Sequence, residues 1–108
     1  MQKSIHSPEY QRVLAALVAM RKQAGLTQRE LAKRLEREHS FVWRIETGER
    51  RLDLVEFHWV CQALAQNAGH VYQTLVRDFL KLSKSAYPEP APMPKAADAA
   101  APYPGPRK

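Results

Sequence analysis

The sequence predicts an all-α fold, with five short helices followed by a disordered tail. Three observations carry this. Apolar residues recur at helical rather than alternating spacing. Three helix starts are marked by capping residues, and two stops by glycine. The composition changes abruptly near Ser83, beyond which lie seven of the eight prolines.

Each element follows from its own residues. Ser7-Pro8-Glu9 opens the first helix, with Ser7 as cap and Pro8 at the first helical position. Val13, Leu14, Leu17, Val18 and Met20 keep helical spacing up to Gly25, a natural C-terminal stop. Thr27 to Glu30 is a capping box, and Leu31, Ala32 and Leu35 share one face after it. After a break at Glu36-Arg37-Glu38, a third helix is expected from His39 to Thr47, with Val42 and Ile45 inward and Gly48 as its stop. Asp53 to Glu56 is a second capping box, opening a fourth helix with Leu54, Phe57, Val60, Cys61 and Leu64 on its apolar side. A fifth is expected from about Gly69 to Leu82, carrying Val71, Leu75, Val76, Phe79 and Leu80. Short helices with tight connections make a compact bundle.

The 108 residues are room for one domain, expected over residues 1–83. Residues 84–108 alternate proline with alanine, remove backbone donors and offer little apolar surface to bury, so a disordered tail is expected there. Such a tail is either passive or an arm for a protein partner. Lys and Arg number 17 against 11 Asp and Glu, a net charge of +6, which suits a polyanionic partner. The single cysteine, Cys61, fits a reducing cytoplasm and reads as an inert core thiol. His6, His39, His58 and His70 are scattered, so no metal or other cofactor is expected. No apolar stretch of signal-peptide or membrane-spanning length occurs. No Ser/His/Asp order, Gly-rich phosphate loop or HExxH motif occurs, and the expectation is a protein without enzymatic activity.

The informative stretch is GLTQRELAKRLEREHSFVWRIETGERR, Gly25 to Arg51. Two short helices flank a three- or four-residue break, the first with a capping box and the second followed by Gly and basic residues. That is the layout of a helix-turn-helix, spanning about residues 27–47. The first helix of such a unit turns its N-terminus to a phosphate, and the second offers outward side chains to the major groove.

The same residues resemble the Cro/cI-like (XRE) helix-turn-helix regulators. The resemblance rests on Leu26-Thr27-Gln28, Glu30-Leu31-Ala32, Leu35, Ser40, Val42, Arg44-Ile45-Glu46 and Gly48. It continues through Asp53-Leu54 and Phe57 to Leu64, covering roughly residues 10–80. It implies a lambda-repressor-like five-helix domain that binds an operator in double-stranded DNA as a two-fold dimer, usually to repress. Gln28 resembles the family glutamine that anchors a phosphate and supports base contacts. His39, Ser40 and Arg44 match outward positions of the recognition helix, and Glu38 matches the residue at its cap. Arg21 and Glu46 match a buried ion pair between the first and third helices.

Two residues depart from the family pattern. Glu36 stands where Gly usually supplies a positive φ, at a cost of roughly 1 kcal/mol. Glu38 replaces the usual Ser or Thr, and its carboxylate repels phosphate while being able to accept from a cytosine amino group.

Other residues are placed by position. Arg50 and Arg51 follow the recognition helix where the family touches the DNA backbone. Arg29 and Lys33 lie on the exposed face of the second helix, where phosphate contact and plain solvation are both open. Phe41 is expected to pack inward, while Trp43 is open between core and DNA surface. Trp59 and Tyr72 lie off the main apolar faces. With Phe79, Leu80 and Leu82, they suggest a homodimer interface on the last helices. A protein-interaction module that keeps this fold, such as an antitoxin, and RNA binding through the basic face are the competing readings.

Overall fold

In a computed structural model, residues 4–82 are described. A 3-10 turn, Ser4–His6, precedes five helices: α1 Pro8–Gln23, α2 Gln28–Arg34, α3 Phe41–Glu46, α4 Leu54–Ala63 and α5 Ala68–Leu82. Among the described residues there is no strand. The expected tail, 84–108, lies outside them.

The helix starts are set by side chains reaching orphan backbone donors. Ser7 Oγ accepts from Tyr10 N at 3.1 Å. Thr27 and Glu30 close a reciprocal box, Glu30 N to Thr27 Oγ1 at 3.1 Å and Thr27 N to Glu30 Oε1 at 2.8 Å. Those bonds hold the Glu30 carboxyl below the usual glutamate range. Asp53 and Glu56 form the second box. α5 begins one residue before the expected Gly69, because Asn67 Oδ1 accepts from His70 N at 2.9 Å. α3 begins two residues after the expected His39. Phe41 N donates to Glu38 O at 3.0 Å, so residues 38–40 form a tight turn leading into the helix. Ser40, not Glu38, holds the cap position there, without a side-chain cap bond.

Two helices stop without glycine. At the end of α2, Glu36 has φ 55°, with Arg37 N bonded to Ala32 O at 2.9 Å. At the end of α4, Ala65 has φ 57°, with Gln66 N bonded to Cys61 O at 2.8 Å. Both are left-handed caps of the kind glycine fills without strain. Ala65→Gly is therefore expected to raise stability by about 1 kcal/mol, read as a higher urea midpoint.

α1 packs on α3 and α5, α2 on α3, and α4 on α5. The main core joins Leu14 and Leu17 to Leu31, Ala32, Phe41, Val42, Ile45, Val60 and Leu64. A second cluster joins Cys61 to Val71 and Leu75. Burial pushes the Cys61 thiol above its ordinary pKa, away from the reactive thiolate. Phe41 packs inward, whereas Trp43 is exposed.

One residue expected on the apolar side of its helix stands outside. Leu54 is 79% exposed. It is the first residue of α4, and a helical side chain leans toward the N-terminus, past the edge of its neighbours. Leu80, read from the sequence as surplus apolar surface, is exposed, because the buried stripe of α5 runs through Val71 and Leu75 to the half-buried Phe79.

Candidate nucleic-acid interface

The frame of the site is a buried ion pair. Arg21 Nε donates to Glu46 Oε2 at 2.7 Å and Arg21 Nη2 to Glu46 Oε1 at 3.0 Å. Both side chains are at most 10% exposed. Arg21 Nη1 also donates to Leu26 O at 2.8 Å, tying the end of α1 to the entry of α2. Gln28 joins the same carboxylate, Nε2 to Glu46 Oε1 at 2.7 Å. One of the two amide hydrogens of Gln28 is thereby used. Glu46 thus orients α1, the first residue of α2 and the end of α3 with one carboxylate.

The outer surface carries most of the sequence-predicted residues. Arg29, Lys33, Glu38, His39, Trp43, Arg44 and Arg51 are exposed, and Ser40 is half-buried. α3 turns Phe41, Val42 and Ile45 into the core, which directs Trp43 and Arg44 to solvent. Arg29 Nη2 lies 2.7 Å from His39 Nδ1. Arginine can only donate, so Nδ1 accepts and the ring proton sits on Nε2. His39 is then held as an outward Nε2–H donor. Arg44 Nε lies 3.6 Å from Glu49 Oε1, both side chains about half exposed. Such a surface pair is weak, and Arg44 can leave it for a ligand.

Arg50 is placed differently from Arg51. Its Nη1 and Nη2 donate to Glu56 Oε1 and Oε2 at 2.9 and 2.7 Å. Nη1 also reaches Arg51 O at 2.8 Å, and the guanidinium lies 4.9 Å from the centre of the Phe41 ring. The loop after α3 folds back across α4, so Arg50 faces a carboxylate while Arg51 remains outside. Arg37 lies over the same ring, at 5.0 Å, with Nη2 3.7 Å from Glu56 Oε2. The Arg50 guanidinium holds the Glu56 carboxyl below the usual range, against its burial. Sequence reasoning missed this cluster. Its one legible signal was Glu56 in the capping box; the path of the loop that delivers Arg50 had none.

A family model described as a helix-turn-helix domain matches residues 12–70, more than half of the chain. The chain belongs to the helix-turn-helix family. A solved structure of an XRE-family like protein from Pseudomonas syringae pv. tomato str. DC3000 is similar to it, with 40% sequence identity and a TM-score of 0.64. That match covers 69% of this chain and 94% of the other. The comparisons place this protein among DNA-binding regulators of the XRE kind. No curated protein matches it. Among the described residues no helix is long and apolar enough to cross a membrane, and no group of three His, Cys, Asp or Glu is placed to hold a metal.

Proposed function

We propose that this XRE-type protein binds an inverted-repeat operator as a cytoplasmic homodimer and represses transcription there. The observation that carries the reading is the outer surface of α2, α3 and their flanking turns. Its exposed cations, Arg29, Lys33, Arg44 and Arg51, surround the outward residues of α3, which is anchored from behind by the Arg21–Glu46 pair. Cations at the edge suit phosphate, and Gln28, His39, Ser40, Trp43 and Arg44 suit base edges and sugars. Glu38 would lower affinity and select a base pair with an exposed amino group.

Arg44→Ala tests the readout. If Arg44 reads a base, the variant loses about 1–3 kcal/mol and its preference relaxes at one operator position. Equal weakening on every sequence would make Arg44 a phosphate contact instead.

The homodimer is supported by an apolar cleft lined by Leu54, Phe57, Ala68 and Tyr72, with Leu80 also exposed on α5. Leu54→Glu puts a charge into that cleft at a helix start where a carboxylate is favoured. Sedimentation is expected to show a dimer for the native chain and a monomer for the variant, with helicity unchanged. The same cleft favours the second reading, a protein-interaction module. A native chain that is monomeric alone and co-purifies with a different protein would support it.

A further inference from the structure

We infer that Glu56 is a specificity-determining residue, which confines Arg37 and Arg50 against Phe41 and so withholds two cations from DNA phosphate. The inference deepens the DNA-binding reading above and rests on it.

Phe41 is the first residue of α3 and is 3% exposed. The two guanidinium carbons stand 5.0 and 4.9 Å from its ring centre. One comes from the turn before α3 and the other from the loop after it. Glu56 is the common anchor, with its side chain 6% exposed and both oxygens engaged by Arg50. Oε1 also accepts from Asp53 N at 3.0 Å, and Oε2 faces Arg37. The carboxylate is therefore fully used. Both arginine side chains are still 38% exposed. They need only rotate, without unfolding, to reach a backbone lying along α3.

Non-specific affinity for DNA is set by how many phosphates are neutralised, and sequence preference is measured against it. A buried anion that holds two flanking arginines lowers the first without touching the residues that read bases. Glutamine at this position removes the charge and keeps the capping box, since its carbonyl can accept from Asp53 N.

The test is binding of the full chain to a random-sequence duplex across a salt series, with circular dichroism as the folding control. Glu56→Gln is expected to steepen the log-affinity against log-salt slope by about 0.9–1.8, one to two phosphates. Between 50 and 200 mM salt the variant then loses about 3- to 12-fold more affinity than the native chain. Its ratio of selected-site to random-site affinity falls. Arg37→Gln is expected to leave the native slope unchanged and to cut the gain in the Glu56→Gln background. If Glu56→Gln alone does not fold, Arg50→Gln with Glu56→Gln removes both partners and releases Arg37 only. Its slope is expected to steepen by about 0.9. A folded variant with the native slope overturns the inference, as does Arg37→Gln flattening the native slope. In both cases the native chain still binds DNA, and the underlying reading stands. A native chain that binds no duplex defeats that reading and this inference together.

Discussion

Glu46→Ala is expected to destabilise the domain by about 3–5 kcal/mol, measured as the shift in urea unfolding followed by circular dichroism. The carboxylate accepts from Arg21 twice and from Gln28 once. Its removal leaves the buried guanidinium with its bond to the Leu26 carbonyl but no counter-charge, and leaves the Gln28 amide unanchored. The loss comes from stranding a charge, not from the net worth of the pair. Arg21→Met with Glu46→Leu, which removes both charges and keeps volume, is therefore expected to recover most of it. A single variant within about 1 kcal/mol of the native protein would mean that water reaches Arg21, contrary to its burial.

Phe41→Ala is expected to cost about 3–5 kcal/mol, the range for truncating a buried aromatic. The ring fills the main core and supports two guanidinium groups on its faces. For a domain of this size that corresponds to a fall of at least about 12 °C in the thermal midpoint. Phe41→Leu, which keeps most of the volume but not the aromatic faces, should fall between the two. Its shortfall against the native chain combines the lost ring volume with the lost arginine stacking. A Phe41→Ala midpoint within a few degrees of the native one would contradict the core assignment.

The fold was legible because its signals are local. Ser7-Pro8, Thr27 with Glu30, and Asp53 with Glu56 cap the helices they mark in the sequence. Helical spacing also placed Leu14, Leu17, Val42, Ile45 and Val60 in the core. Where the signal is not local, the sequence was less informative. Periodicity says which residues share a face but not whether anything covers that face, so Leu54 read as core and stands in solvent. The stop at Ala65 carries no glycine to mark it, and the Glu36 stop was visible only through comparison with the family pattern. The start of α3 was displaced because residues 38–40 make a tight turn whose composition does not differ from that of a helix.

The site divides in the same way. Exposed positions on α3 follow from the period of the helix, which is why Trp43 and Arg44 were recognisable as outward candidates. Arg50 was not distinguishable from Arg51, because they are neighbours of one residue type. A loop turning back on α4 separates them, and only the partner, Glu56, decides which is held. Gln28 was legible as a site residue, but its bond to Glu46 required α2 and α3 to be set against each other.

The most direct test of the central claim is selection of bound fragments from a random duplex library, followed by titration of the winner at two salt concentrations. The expected result is an inverted repeat with half-site centres about 34 Å apart, bound with an affinity that falls steeply as salt rises. Failure to enrich any sequence, with only weak salt-sensitive binding, would contradict it.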